Sequence, residues 1–515
     1  MFRPLSLAAA LLTVASVAVA PSVGAAANAE EGADRPNILF VIADDWGWPH
    51  ASIYGCEWVN TPNFDRVAEG GTLFTNAFTS NPKCSPCRAS ILTGRNTWQT
   101  GAAINHFGVF PNTWPSYVDL LEDGGYKVGY TGKGWGPGDY KAGGWERNPV
   151  GPAYQKARTK PPASEMSSTD YAGNFAAFLD EREAEAEDAG QQKPFHFWLG
   201  THEPHRSYEA GSGLAAGKSP ARVDVPTFLP NNRAVREDLL DYAVEVEYFD
   251  THLGRALAHL EERGELANTL VVVTSDHGMP FPRVKGQIYE WGFHLPLAIM
   301  GPGVESGENG EPRVVDDFVN VRDFAPTFLE VANMPRPDSF TGESLTDLLT
   351  SSESGKLRQT PDEMLVGKER HDIGRPDDVG YPVRAIRTPD YLYIRNFTPD
   401  RWPAGNPETG YRNVDGGPTK SQILGSFNKY YRYSFGKRPA EELYALPADR
   451  DNVQNLAEDP DHRAAKIRLR DRMYELLREE GDPRLTGRAW VFDDYRYTGQ
   501  KSHGWDAFSE FSEPD

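Results

Sequence analysis

Cys84 and Cys87 flank a serine and a proline in the stretch NPKCSPCRASILTGR, and Arg88 follows directly. A thiol pair at this spacing supports redox cycling between dithiol and disulfide. It also supports zinc binding, although zinc needs a second ligand pair that Cys56, the one remaining cysteine, does not supply. A structural disulfide is the third reading. Other residues able to do chemistry come in tight groups. Asp44-Asp45 ends PNILFVIADD, Lys133 ends VGYTGK, His202 and His205 fall in FHFWLGTHEPH, Asp276-His277 ends VVVTSDH, and Lys285 opens KGQIYE. Paired carboxylates offer hard oxygen ligands to a divalent cation. An imidazole that titrates near neutral pH suits proton transfer. One isolated Asp pair reads more simply as a turn or helix cap, but two pairs beside the Cys84 stretch favour a site.

Such groups need elements to position them. Asp44-Asp45, Lys133, His202 with His205, and Asp276-His277 each follow a short apolar run that reads as a buried strand, and helical segments intervene, which is the pattern of an α/β sheet. The polar clusters therefore fall just beyond the C-terminal ends of strands, the edge at which open α/β sheets bind ligands. Helical periodicity is plainest in YAGNFAAFLDEREAEAED and in REDLLDYAVEVEYFDTHLGRALAHLEERGEL. The apolar stripe of the second packs on the sheet, and the acidic tail of the first is a solvated face. Past about Ser351 the texture becomes polar, then rich in Tyr and Arg, and PDHRAAKIRLRDRMYELLREEG is a late helix. This predicts a catalytic domain over 30–375 and a smaller C-terminal α+β domain with antiparallel strands over 376–515.

The first 29 residues, a basic Arg3, an apolar run and a close in Ala27-Asn28-Ala29, read as a cleavable secretory signal cut after Ala29. The run is too short and too interrupted to span a bilayer, so the expected location is periplasmic or extracellular, without an anchor. The 515 residues carry 53 Lys+Arg against 74 Asp+Glu, a net charge of −21. That balance argues against nucleic acid or anionic membrane as general partners. An anionic substrate must then be drawn in by a local basic pocket.

Cys84, Pro86 and Arg88, followed by Leu92-Thr93-Gly94-Arg95, resemble the Cys-x-Pro-x-Arg signature of the formylglycine-dependent sulfatases and its Leu-Thr-Gly continuation. The resemblance runs from about Arg35 into the C-terminal domain. THEPHR, the stretch VDVPTFLPNNRAVREDLL and ELYALPADRDNVQNLAEDP resemble the heparan N-sulfatase (N-sulfoglucosamine sulfohydrolase) branch most closely. It implies an alkaline-phosphatase-like fold, with a large mixed sheet flanked by helices and a smaller C-terminal antiparallel sheet. It also implies that a maturation enzyme oxidises Cys84 to 3-oxoalanine (formylglycine), with Cys87 a bystander. One hydroxyl of the hydrated aldehyde would attack sulfur, and loss of a proton from the other would expel sulfate.

By the same resemblance Ca²⁺, with Mg²⁺ the alternative, is held by Asp44, Asp45, Asp276, His277 and the modified Cys84. Arg88 holds the hydrate or a neighbouring carboxylate, Lys133 and Lys285 contact hydrate and sulfate, and His202 protonates the leaving group. The family's usual histidine two places after the lysine is missing, since Trp135 stands there; His106 is the candidate replacement. His106, His205, Arg370, His371 and Arg384 are expected to grip a sulfated saccharide. Interdomain ion pairs are an equally good reading of the group Glu369, Arg370, His371, Arg384 and Arg387. Cleavage of an O-sulfate or an N-sulfate stays open, as do two rivals: a phosphonate or phosphate ester hydrolase, and a non-catalytic glycan-binding protein with Cys84 unmodified.

Overall fold

The computed structural model describes residue 1 and residues 35–426 and 428–509; the expected leader, with its cut after Ala29, lies outside the described residues. From Arg35 onward the chain forms a single compact unit. Its centre is an eight-stranded sheet. The order runs Val319–Asn320, Thr72–Phe78, His294–Met300, Thr269–Ser275, Asn37–Ala43, Phe195–Gly200 and Lys127–Gly132, with Arg313–Val315 also paired to Thr72–Phe78. His294–Met300 is antiparallel to both neighbours, whereas the last four strands in that order are mutually parallel. The sheet is therefore mixed, as expected.

Residues of the central strand Asn37–Ala43 are buried on both faces, which is why its sequence reads as an unbroken apolar run rather than an alternating one. The period of two still divides it. Leu39, Val41 and Ala43 enter one core with the helices Pro62–Glu69, Tyr171–Ala189 and Arg233–Glu262. Ile38, Phe40 and Ile42 enter the other, with Cys84–Thr93, Tyr117–Asp123 and Phe324–Val331. Among the described residues, no helix is long and apolar enough to cross a membrane.

A second, four-stranded antiparallel sheet runs in the order Met364–Lys368, Val383–Arg387, Tyr391–Asn396, Glu441–Ala445. One face meets Ile288, Tyr289, Phe293 and Phe78. The other is covered by the helix Arg463–Glu479 through Leu469, Met473 and Leu477. The boundary drawn at residue 376 passes inside this sheet, between its first and second strands.

Candidate active site

Because the four strands Thr269–Ser275, Asn37–Ala43, Phe195–Gly200 and Lys127–Gly132 are parallel neighbours, their C-terminal ends meet at one edge. Pairing continues past the strands and fixes the loops: Asp276 N donates to Ala43 O, Asp44 N to Glu203 O, and Lys133 N to Gly200 O at 2.7 Å. Gly132 permits that last approach. Its φ is +69°, and a Cβ there would lie 1.9 Å from Gly200 O. Asp45 also adopts a left-handed backbone (φ 77°), a conformation Asp tolerates better than most residues.

The helix Cys84–Thr93 delivers its first residue to this edge and is buried along its whole length. Pro86 is harmless in a first helical turn, where its missing N–H has no intrahelical partner. Arg88, four residues on, shares the face of Cys84, which explains the spacing of the signature. Its Nε donates to Asp276 Oδ2 at 2.9 Å, its Nη1 donates to the carbonyls of Lys133 and Gly134, and its Nη2 lies 3.8 Å from Asp44 Oδ1. Lys133 Nζ meets Asp44 Oδ2 at 2.6 Å, while Lys285 Nζ bridges Asp45 Oδ2 (2.7 Å) and Asp415 Oδ2 (2.9 Å). Cys84 Sγ lies 3.2 Å from His277 Nε2.

Burial pulls the Lys133 ammonium toward neutrality, but Asp44, Cys84 and Asp276 outweigh it and raise its pKa. Lys285 behaves likewise, with Asp415 and Asp45 outweighing burial. Asp44 is held well below the carboxylate range, since Lys133, His205 and Arg88 overcome its burial. The Cys84 thiol is pushed far up, by burial first and by Asp44 second. As a plain thiol it stays protonated at neutral pH and is a poor nucleophile.

Asp44, Cys84, Asp276 and His277 each place one ligand atom within 4.8 Å of the others. His277 Nδ1 faces the Gly278 carbonyl at 3.1 Å and must donate there, so the ring turns its Nε2 lone pair toward Cys84 and toward Asp45 Oδ1 at 3.0 Å. The Oδ1 atoms of Asp44 and Asp45 are buried and accept no hydrogen bond. The Asp44, Cys84, Asp276 and His277 ligand atoms, with an unpartnered oxygen on Asp44 and another on adjacent Asp45, fit a divalent cation.

The sulfatase family model matches residues 36–334. The chain belongs to the sulfatase family. A second model, for the C-terminal region of N-sulphoglucosamine sulphohydrolase, matches residues 282–398. The chain is 27% identical to the N-sulphoglucosamine sulphohydrolase of Homo sapiens over 87% of its length and 91% of the relative's. It is 25% identical to an ulvan-active sulfatase of Formosa agariphila, over 87% and 76%. A structure solved with its substrate D-glucosamine-2-N,6-O-disulfate shares the fold at a TM-score of 0.62 and 19% identity, over 87% of this chain and 98% of that one. So does the phosphonate monoester hydrolase of Agrobacterium radiobacter, at 0.62 and 20%, over 87% and 96%. This sulfatase is a sulfuric ester hydrolase.

A cavity of about 800 Å³ opens over the sulfatase site. Of the sequence-predicted residues, Asp44, Cys84, Lys133, His202, His205, Lys285 and His106 line it. Arg370, His371 and Arg384 do not, which corrects the expectation that they grip substrate. Arg384 is fully buried between Asp482 and Glu369. His371 is buried between the Gly286 carbonyl and Asn81 Oδ1, and Arg370 donates to the Tyr495 carbonyl. The ion-pair reading of that cluster holds for Arg384 and for Arg387, which pairs with Glu290. His202 also departs from expectation. Burial lowers its pKa to about 4, against the opposing pull of Asp44.

Trp135 has a structural task in this sulfatase. It is buried against Phe110, and its Nε1 donates to the Ser85 carbonyl at 3.0 Å, in the first turn of the Cys84 helix. Trp135→Phe is expected to cost about 1 kcal/mol in denaturant unfolding, because it removes this one donor and keeps most of the packing. Sequence reasoning missed Lys83, Asp372 and Asp415. Lys83 directly precedes Cys84 and Asp372 directly follows His371, so adjacency to quoted motifs was the available signal. Asp415 lies in a loop with no motif and gave none.

Proposed function

We propose that this sulfatase is exported and removes sulfate from a sulfated saccharide, with Cys84 matured to formylglycine by a partner enzyme and Ca²⁺ bound beside it. The observation that carries the reading is the convergence on Cys84 of Arg88, Lys133 and Lys285 with three buried aspartates. With Asp415 also on Lys285, three cations face four carboxylates, a balance that a bound divalent cation would turn positive, favouring sulfate oxygens at the two ammonium groups. When bound, the cation supplies further positive charge for those oxygens, with Asp44, Asp45, Asp276 and His277 as its protein ligands. Formylglycine, as its hydrate, supplies paired hydroxyls on one carbon, one to take up the sulfuryl group and one whose proton loss releases it.

The chain's own residues do the rest. Lys133, fixed by Asp44, and Lys285, fixed by Asp45 and Asp415, orient the sulfate. His202 faces the same cavity and delivers a proton to the departing alcohol or amine. An anion bound beside it opposes the effect of burial and favours its protonated form. Relatives named for N-sulphoglucosamine and for ulvan support a glycan substrate, and both N- and O-sulfates stay within the proposal.

The test is hydrolysis of 4-nitrophenyl sulfate, 4-nitrophenyl phosphate and a 4-nitrophenyl phosphonate ester by co-matured protein, followed by a panel of defined sulfated saccharides. Preference for sulfate and release of sulfate from at least one saccharide are expected. A large preference for phosphorus would transfer the reading to phosphonate or phosphate esters. Stripping with a chelator should lower kcat by about 10²-fold or more, with recovery on adding Ca²⁺ and a Ca²⁺-dependent rise in melting temperature. Full activity and an unchanged melt in the stripped protein would remove the metal from the proposal.

A further inference from the structure

His106 and Asp372 form a fixed pair that the proposed chemistry does not use. His106 Nδ1 lies 2.7 Å from Asp372 Oδ1. A carboxylate can only accept, so the ring proton sits on Nδ1 and Nε2 is left to face elsewhere. Nε2 is buried and meets no hydrogen-bond partner among the described residues, yet His106 lines the cavity that holds Cys84. A buried polar atom left unpaired is destabilising, and a ligand that provides the partner relieves that cost.

The pair is braced on every side. The second Asp372 oxygen lies 3.2 Å from Lys83 Nζ, which keeps the carboxylate ionised and matches the lysine's charge. His106 N donates to Arg370 O, Arg370 N donates to Asn105 Oδ1, and the imidazole stands edge-on to Phe107 at 4.7 Å. Burial outweighs Asp372 and holds the ring neutral, with a pKa lowered to about 4.

We propose that the Asp372–His106 pair reads a free hydroxyl of the saccharide ring, with His106 Nε2 accepting its hydrogen and Asp372 as the positioning residue, and so selects against a sulfate ester at that ring position. The inference rests on the saccharide substrate proposed above. A second sulfate there would turn acceptor oxygens toward a lone pair, and a deoxy carbon would leave that lone pair unmet. The Lys83 charge, already matched by Asp372, gives a second sulfate no compensation.

The test measures kcat/KM on N-sulfoglucosamine and 6-O-sulfoglucosamine, and on analogues in which each remaining hydroxyl is replaced in turn by hydrogen or by O-sulfo. The matured parent is expected to favour the free hydroxyl at one ring position by about 10–100-fold over hydrogen, and by more over O-sulfo. In His106→Phe that ratio should collapse to within about threefold, since the ring packing is kept but the acceptor is gone. His106→Gln, which restores an acceptor, should recover part of it. Asp372→Asn should reverse it: Lys83 Nζ, which can only donate, holds the amide oxygen where Asp372 Oδ2 now lies, so the amide nitrogen donates to Nδ1, the ring proton moves to Nε2, and the donor thus created prefers O-sulfo. A His106→Phe enzyme that keeps the parent's ratio, or a parent indifferent at every ring position, overturns the proposal. Hydrolysis of 4-nitrophenyl sulfate, which has no ring hydroxyl, reports the sulfatase chemistry separately, so either result would leave that reading standing.

Discussion

Cys84→Ala is expected to leave a folded protein whose sulfatase turnover falls by at least about 10⁴-fold. The fold should survive because Ala is well suited to a first helical turn, and among the described residues the Cys84 side chain makes one polar contact, to His277. Arg88 still pairs with Asp276, and Lys133 with Asp44, so no buried charge is orphaned. The loss in rate should be large because no neighbouring group can replace a carbon that carries two hydroxyls. Cys84→Ser makes the distinction sharper. A single hydroxyl can accept the sulfuryl group, but it has no second oxygen with which to expel it, so an adduct of about 80 Da should accumulate. Intact mass of the parent should fall by about 18 Da on conversion of the thiol to the aldehyde, whereas a Cys84–Cys87 disulfide would remove two hydrogens. Initial rates, a thermal melt and mass spectra check all three. Retention of more than a few per cent of parental turnover in Cys84→Ala would contradict the proposed nucleophile. An unconverted thiol in active protein would do the same.

What the sequence made legible was the sheet edge where the candidate site gathers, because the strands leading into it are so deeply buried that each apolar run marks where a polar cluster begins. Asp44-Asp45 and Asp276-His277 close neighbouring parallel strands, and Arg88 follows Cys84 by one helical turn. Less legible was anything that depends on how distant loops meet. Asp415 reaches Lys285 from 130 positions along the chain, and Asp372 reaches His106 from 266. No local period encodes either meeting. Arg384 failed for a different reason. A cluster of charges beside an expected domain boundary does not reveal which face of a strand it occupies. Val383 and Ala385 face one core, so Arg384 falls on the opposite face with Ile386, under the helix Arg463–Glu479. It stands opposite Gly367 in the ladder, and a Cβ on that glycine would meet Arg384 Cδ at 2.6 Å. The long side chain thus lies flat across its neighbouring strand rather than reaching the cavity.

Arg384→Met should therefore act on stability and not on substrate affinity. The guanidinium is fully buried and forks onto Asp482, with Nε to Oδ2 at 2.7 Å and Nη2 to Oδ1 at 3.1 Å, and it meets Glu369 at 2.9 Å. It also donates to the carbonyls of Lys368 and Val383 and lies near the rings of Trp98 and Phe492. Methionine fills much of the same volume but leaves Asp482 buried without its counter-charge, a loss of about 3–5 kcal/mol. Glu369 is less exposed to the change because Arg484 also pairs with it. The melting temperature should fall by about 3–5 °C. KM and kcat, measured well below the new melt, should stay within about twofold. A second change, Asp482→Leu in the Arg384→Met background, removes the stranded carboxylate and should recover a large part of the lost stability, because a buried ion pair replaced whole by apolar groups is often close to neutral. If Arg384 instead gripped the saccharide, the single variant would raise KM by tenfold or more with its melt unmoved, and Asp482→Leu would restore nothing.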